Sequence, residues 1–455
     1  MFNKVLIINR GDSASRVIRT LNKMKIASVV VYSEIDADLP YIKEATESYA
    51  IGPSPAQKSY LNQDVLLDVL QKSGADAVHP GFGFLSENAD FAQKVENTGA
   101  KFIGPSPKWL SKMANKNVAR AIMSKYGLPI GKGSGKLSDN PDEIKKAGRD
   151  IGFPVLVKPA GGGGGIGMLP AYNEEELLKV VQEARTMAQR AFDDGELYLE
   201  KYFEKPRHIE FQVLADQHGH VTHFFERDCS IQRRHQKLIE ESPAVGLDRN
   251  EINQLADKIT EILADIGYDN IGTVEMLRDS QGHYSFLEMN TRLQVEHGVS
   301  EEINGIDLVE AQIRCAAGEQ LETIVDNQKA PNGHAIEVRI YAEDPKTFFP
   351  SPGKLLKFSA PTIDGIRIET GFAQGTTVSP FYDPMVAKVI AHAETRQEAI
   401  AKLLIALKHF EIVGIKTNIP FLIDVLNSDK YQLGQLDTGF VKEFLNTIGE
   451  KHAHS

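Results

Sequence analysis

Five consecutive glycines, Gly161 to Gly165, constrain this chain more than any other feature of its sequence. Glycine loses more backbone freedom on ordering than any other residue, so the run belongs in a loop kept for close approach or movement. Val155-Leu156-Val157-Lys158 upstream reads as a strand, and Met168-Leu169-Pro170 downstream suits a second strand and a turn. Gly162 to Gly167 satisfies Gly-x-Gly-x-x-Gly, but a dinucleotide loop opens straight into a helix, which these neighbours oppose. No Gly-Lys-Ser/Thr closes the run, so a Walker A loop also fails. There remains a glycine flap between two strands, able to offer backbone N–H groups to phosphates with Lys158 close by. A mere flexible linker is the alternative.

The flap sits in a chain of mixed α/β pattern. From residue 4 to about 104, β-branched runs (Val5–Ile8, Val29–Tyr32, Ala77-Val78, Lys101–Gly104) alternate with amphipathic stretches, the first a helix near Ser13–Met24. This predicts a parallel sheet covered on both faces, with Asn9-Arg10-Gly11 and His79–Phe84 at strand ends where ligand crevices form. A helical connector is expected from Pro105–Pro107 to Tyr126, ended by Gly127 and Pro129. A flap unit over about 131–203 follows, with a helix near 173–190 and a strand at Leu197–Lys201. Residues 208–214 alternate, placing His208, Glu210 and Gln212 on one face, and Val221–Glu226 reads as the return strand. Arg227–Lys237 reads as a basic polar loop, 249–267 as a helix, and Gly272–Leu277 with Tyr284–Asn290 as a hairpin. After Pro331-Asn332-Gly333 come strands and one helix, about 396–410.

The expected fold class is therefore α/β, α+β overall: an N-terminal parallel-sheet domain, a domain with a glycine-rich flap, and a β-rich C-terminal domain. The expected boundaries are 1–113, 114–330 with the flap subdomain at 131–203, and 331–446, then a frayed tail over 447–455. A length of 455 residues suits about three domains. The net charge of -11 argues against nucleic acid as partner, so a phosphate ligand must meet local cations. Cys229 and Cys315, distant and in no CxxC pair, support neither a disulfide framework nor a zinc site. No transmembrane run and no signal-type start occur, so no membrane partner and a cytoplasmic location are expected.

Carboxylates give the second chemical signal. Glu288 and Asn290 share a strand face, and antiparallel pairing can bring Glu275 beside them, a hard-oxygen set suited to Mg²⁺ or Mn²⁺. Exposed strand carboxylates are also common without a metal. Thr291–His297 then packs cation, amide, carboxylate and imidazole together: Arg292 offers a fork for a small planar oxyanion, and Glu296 is a candidate general base. A solvated polar turn is the alternative. Glu337 and Arg339 share a strand face, and an intrastrand ion pair is the default reading for them. Cys229 is expected to be a quiet thiol.

Taken together, these segments resemble biotin carboxylase, the ATP-grasp component of biotin-dependent carboxylases. The resemblance rests on Asn9-Arg10-Gly11, His79–Asn88, the flap, Glu226–Ser230 with Gln232–Lys237, Glu288–Arg292 with Gln294–His297, and Phe381–Met385. They run in family order over nearly the whole chain. Departures are Ile166, where the family usually carries Lys or Arg, and Asp12-Ser13-Ala14-Ser15 in the first motif.

The resemblance implies residue roles. Lys116, Lys158, the flap glycines Gly163, Gly164 and Gly165, His208, Gln232 and His235 would hold ATP, with the Glu200-Lys201 backbone and Phe203 around adenine. Glu275, Glu288 and Asn290 would bind Mg²⁺ or Mn²⁺. Lys237, Arg292, Gln294 and the Val295 backbone would hold bicarbonate, Glu296 would deprotonate it, and Arg339 would stabilise the biotin enolate. A homodimer is implied, with Arg19 and Arg367 at family dimer positions. Biotin is expected on a separate carrier protein, since the Met-Lys-Met hairpin tip of carrier domains has only Met24-Lys25-Ile26, at a predicted helix end, as an imitation. A carboxyltransferase subunit would complete the acyl-CoA carboxylase. Another ATP-grasp ligase, or a non-catalytic nucleotide-binding assembly subunit, are the alternatives.

Overall fold

The structure is a computed structural model that describes residues 1–159, 167–192, 194–326 and 330–453. The chain forms two compact units. The larger comprises Met1–Tyr126, Arg207–Met276 and Leu287–Ser455, and the smaller comprises Gly127–Pro206 with Leu277–Phe286.

In the larger unit, the N-terminal β-branched runs form a five-stranded parallel sheet in the order Glu47–Ala50, Ala27–Tyr32, Lys4–Ile7, Ala77–His79, Lys101–Phe102. Val5 and Ile7 pack with Val17 and Leu21 of the Gly11–Lys23 helix, whereas Leu6 packs with Leu66 and Leu70 of the Gln63–Ser73 helix. Both faces are thus covered, which is why these strands read as continuous apolar runs. The loops at two strand ends are tied together, because the Asn9 amide donates to the carbonyls of Pro80 and Phe82, each at 2.8 Å. Gly81 (φ +62°) permits this, since a Cβ there would lie 2.2 Å from Ser13 Oγ.

The second layer is an eight-stranded sheet that carries the site. Its order is Tyr284–Asn290, Asn270–Arg278, Arg207–Ala215, Val221–Arg233, Gln236–Ser242, His334–Tyr341, Met385–Ala393, Ile366–Glu369. Val221–Arg233 runs antiparallel to both neighbours, with Arg227 opposite Glu210. Gln236–Ser242 pairs antiparallel with His334–Tyr341, which places Glu240 opposite Glu337.

The smaller unit is a three-stranded antiparallel sheet, Leu169–Ala171, Val155–Pro159 and Leu197–Lys201, backed by the Pro141–Ile151 and Glu174–Phe192 helices. Ile144, Val155, Val157, Leu177 and Leu199 form its core. The segments flanking the glycine run pair with each other, Val157 opposite Leu169, as a strand–loop–strand requires. Gly163, Gly164, Gly165 and Ile166 lie outside the described residues.

The structure corrects four expectations. The basic stretch after Arg227 is not a loop. The Val221 strand continues to Arg233, turns at Arg234 and His235, which have positive φ, and returns as Gln236–Ser242. Arg227 and Arg233 tolerate this because Glu210 and Glu343 neutralise them. The connector after Pro107 is two helices, Pro107–Ala114 and Lys116–Lys125, broken where the Asn115 side chain caps the second by accepting from Val118 N. Pro141–Ile151, for which no element is expected, is a helix that Asn140-Pro141 starts. The C-terminal segment holds more than one helix: Arg396–His409 is joined by Ile419–Asn427, Asp429–Gln432 and Phe440–Ala453, the last spanning most of the expected tail. Among the described residues, no helix is long and apolar enough to cross a membrane.

Candidate active site

Alternation along Arg207–Ala215 sets His208, Glu210 and Gln212 on one buried face of the large sheet. Arg227, directly opposite, fills the space between them: Nε donates to Glu210 Oε1 (2.6 Å), Nη1 to Gln212 Oε1 (2.7 Å) and Ser300 Oγ (2.9 Å). Lys237, just after the turn, reaches three carboxylates with its Nζ: Glu210 Oε2 at 2.7 Å, Glu275 Oε1 at 3.0 Å and Glu296 Oε1 at 2.6 Å. An ammonium has three donors, and here each has an ionisable acceptor.

Glu296 immediately precedes the His297–Asn304 helix, makes no side-chain capping bond to it, and is fully buried. Its Oε2 accepts from Arg339 Nη2 at 2.8 Å, so its carboxylate bridges Lys237 and Arg339. Arg339 Nε donates to Glu240 Oε1 at 2.6 Å. The expected ion pair between Glu337 and Arg339 is therefore absent, and neither Glu337 oxygen has a hydrogen-bond partner among the described residues. Glu240 and Glu296, arriving from neighbouring elements, occupy the guanidinium donors first.

The Glu288–His297 segment extends the cluster. Arg292 Nη1 donates to Gln294 Oε1 (2.8 Å), its Nη2 to Asn290 Oδ1 (3.1 Å), and its Nε to Glu87 Oε2 (3.0 Å). Glu275 Oε1 accepts from Asn290 (2.8 Å) and Gln294 (3.2 Å), while Glu275 Oε2 lies 3.2 Å from His208 Nε2. The Val295 carbonyl accepts from Lys388 Nζ at 2.7 Å. Gln232 bonds His208 Nδ1 at 2.8 Å, whereas the exposed His235 ring makes no hydrogen bond to the cluster. Lys116 Nζ lies 3.0 Å from Glu288 Oε2. In the smaller unit Lys158 Nζ bonds Glu200 Oε2 at 2.8 Å, Lys201 Nζ donates to the carbonyls of Gly152 and Phe153, and Phe203 is half-buried.

These contacts set the protonation states. Burial pushes Glu296 up, but Lys237, Arg339 and Arg227 outweigh it and hold the carboxyl well below its ordinary value. Burial likewise pulls Lys237 down, and Glu210, Glu275 and Glu296 reverse that, keeping it charged. Burial raises the thiol of Cys229, whose Sγ lies 3.9 Å from Glu296 Oε1, so it is a quiet strand residue rather than a nucleophile.

Glu210, Arg227, Glu240 and Lys388 were given no role by the sequence. The alternation of His208, Glu210 and Gln212 could have flagged Glu210. Glu240 and Lys388 become visible only when the strand register puts them beside Glu337 and Arg339. Arg19 and Arg367 both bind Glu369 within this chain, and Arg367 also reaches Glu301.

A buried base among cations, with hard oxygen ligands nearby on the same sheet, is the equipment of an ATP-dependent ligase. Residues 1–110 match the family model for the biotin carboxylase N-terminal domain, 115–324 that for the carbamoyl-phosphate synthase L chain ATP-binding domain, and 337–443 that for the biotin carboxylase C-terminal domain. The chain belongs to the biotin carboxylase family. It is 51% identical over 448 residues to a biotin carboxylase of Halalkalibacterium halodurans, covering 98% of both chains. Biotin carboxylase 2 of Bacillus subtilis is 50% identical over 98% of this chain and 100% of its own. Among solved structures it resembles a Campylobacter jejuni biotin carboxylase–β,γ-ATP complex, with a TM-score of 0.90 at 43% identity over 97% of this chain and 99% of that one. It also resembles the biotin carboxylase domain dimer of Hydrogenobacter thermophilus 2-oxoglutarate carboxylase, in complex with MgADP, ADP and bicarbonate. The TM-score there is 0.88 at 42% identity, over 97% of this chain and 98% of that one.

Proposed function

We propose that this chain uses ATP to carboxylate biotin with bicarbonate through carboxyphosphate, the first half-reaction of a biotin-dependent carboxylase. The observation that carries the reading is the Glu296 carboxylate, buried and bridging Lys237 and Arg339. Of these two cations, Lys237 is among the groups assigned to bicarbonate and Arg339 is the one assigned to the biotin enolate.

Bicarbonate is a poor nucleophile, and Arg292, Gln294, the Val295 backbone and Lys237 are the groups that would orient it. Glu296 alone is too weak a base, held low by its cations. An anion bound at Lys237 and Arg292 competes for the same positive charge, so Glu296 becomes more basic as bicarbonate arrives. Attack on the γ-phosphate gives carboxyphosphate, which collapses to CO2 and phosphate. Phosphate then takes the ureido proton of biotin, and Arg339 offsets the enolate charge until CO2 is attacked.

ATP would be held by Lys116, Lys158, Gly163, Gly164, Gly165, His208, Gln232 and His235, with Glu200, Lys201 and Phe203 at adenine. The metal assignment fits the donor set: Glu275, Glu288 and the Asn290 amide oxygen are hard ligands, and each already attracts a donor, His208 and Lys237, Lys116, and Arg292 respectively. A Mg²⁺ or Mn²⁺ ion there would neutralise phosphate charge. We further propose a cytoplasmic homodimer that takes biotin on a separate carrier, works with a carboxyltransferase subunit in fatty acid biosynthesis, and is organised in domains 1–113, 114–330 and 331–446.

The test is ATP turnover by purified protein with bicarbonate and added free biotin. Turnover that needs bicarbonate, with carboxybiotin as product, supports the reading. Turnover indifferent to biotin would mark another ATP-grasp ligase, and none at all a non-catalytic subunit.

A further inference from the structure

Glu337 is a fully buried carboxyl that the reaction above does not use. It lies on the His334–Tyr341 strand two residues before Arg339 and directly opposite Glu240 on the neighbouring strand. Directly opposed side chains on an antiparallel pair have Cβ atoms about 4.5–5.5 Å apart, and like charges there repel. Neither Glu337 oxygen nor Glu240 Oε2 has a hydrogen-bond partner among the described residues. The remaining side is closed by the His297–Asn304 helix, where a Cβ added to Gly298 would stand 3.4 Å from Glu337 Oε2.

Charged groups face the pair from every side. On Glu337, Glu240 acts from the strand on one side, Lys388 from the strand on the other, Arg339 from its own strand, and Glu296 from the start of the helix. On Glu240, Arg339, Glu296 and Lys237 act, the last from its own strand and already bonded to Glu210, Glu275 and Glu296. Lys388 is drawn away to the Val295 carbonyl at 2.7 Å, with Asp12 Oδ2 at 4.0 Å. Arg339 is spent on Glu240 and Glu296. Lys388 pulls on Glu337 from across the strand pair, but its ammonium hydrogen-bonds the neutral Val295 carbonyl, so among the described residues no cation is hydrogen-bonded to Glu337 and burial opposes a second ionised carboxylate there.

We propose that Glu240 and Glu337 share a single proton, and that Glu337 is a positioning residue whose protonated carboxyl adds no further anion beside Arg339, so that the guanidinium can answer the biotin enolate. The part concerning Arg339 rests on the proposed function. When Glu296 takes the bicarbonate proton, Arg339 loses one of its two anionic partners, and only Glu240 still opposes it. Ionised Glu337 would restore the lost negative charge at the step where the enolate forms. Burial raises the carboxyl of Glu337 to about 8 and that of Glu240 to about 7, in the same direction as the geometry.

The experiment measures carboxybiotin formed per ATP cleaved across pH 7 to about 9.5, a ratio that cancels pH effects on the bicarbonate step. In wild type the ratio should fall about tenfold between pH 7 and pH 9, as one essential proton is lost. Glu337→Gln has no proton to lose, so its ratio should stay level over that range. A parallel fall in both proteins would overturn the proposal. Independently, infrared difference spectra of wild type against Glu337→Gln should show one protonated-carboxyl band at pH 7 that disappears by pH 9.5. Absence of that band at pH 7 would overturn the shared proton. A wild type that cleaves no ATP with bicarbonate would instead refute the proposed function, and the infrared measurement would still decide the protonation.

Discussion

Replacing Arg339 with alanine separates the two halves of the proposed reaction, and the structure sets the size of each effect. Glu296 loses one of three cations, but Lys237 remains bonded at 2.6 Å and Arg227 remains close, so the carboxylate stays ionised at neutral pH. Bicarbonate-dependent ATP cleavage should therefore persist. Carboxybiotin formation should fall by about 10²–10³-fold, the usual effect of removing one donor from a developing oxyanion. Stability is the complication, because an uncovered buried carboxylate commonly costs about 3–5 kcal/mol. Glu240 avoids that extreme: burial already raises it to about 7 with the guanidinium present, so without it the group takes up a proton at neutral pH. The cost should then be that of a neutral group with a lost hydrogen bond, about 1–3 kcal/mol. Urea unfolding of Arg339→Ala and of Arg339→Ala/Glu240→Gln measures this, and the two should agree closely at pH 7. The decisive assay is the ratio of carboxybiotin formed to ATP consumed. Equal loss of both activities in a folded variant would refute the division of labour and leave Arg339 a structural ion-pair residue.

Glu296→Ala should lose bicarbonate-dependent ATP cleavage and carboxylation together, by about 10²–10⁴-fold, read in the same coupled assay. Arg227→Met should cost about 1–3 kcal/mol in urea unfolding by taking the donor from Glu210 Oε1, whose Oε2 keeps Lys237, with partial recovery in Arg227→Met/Glu210→Gln. Glu241, held at about 2 because His334 and Arg396 overcome burial, has a folded value below its ordinary 4.5. Its contribution, about 3 kcal/mol, is complete above 4.5 and lost as pH falls toward 2, so Glu241→Gln should flatten the acid limb of a urea-midpoint profile. Glu288→Gln should raise the Mg²⁺ concentration for half-maximal ATP cleavage at least about tenfold, and a chelator should abolish turnover in wild type.

Much of this was legible in the residues because the signals were local. A β-branched run between turn residues identifies a strand, and two-residue spacing assigns faces, so the parallel sheet and the shared face of His208 and Glu210 follow from pattern alone. The basic stretch after Arg227 misled because charge mimics exposure. Arg227 is buried against Glu210 and Arg233 half-buried against Glu343, partners 17 and 110 residues away, and no local pattern announces such neutralisation. The failure at Arg339 has the same origin. Glu337 is its sequence neighbour on the correct face, but the guanidinium is claimed by Glu240, 99 residues upstream, and Glu296, 43 residues upstream. Which acid an arginine meets depends on strand register, and register is a property of the assembled sheet. The consequence is chemical as well as structural. Had Glu337 taken the place of Glu296 on Arg339, both anions at the guanidinium, Glu240 and Glu337, would stay there throughout the reaction. Paired with Glu296, it is neutralised by the one carboxylate proposed to accept a proton during turnover. One of the two negative charges opposing it, the other being Glu240, is then removed when the base is used, which couples the activation of bicarbonate to the step that needs the cation.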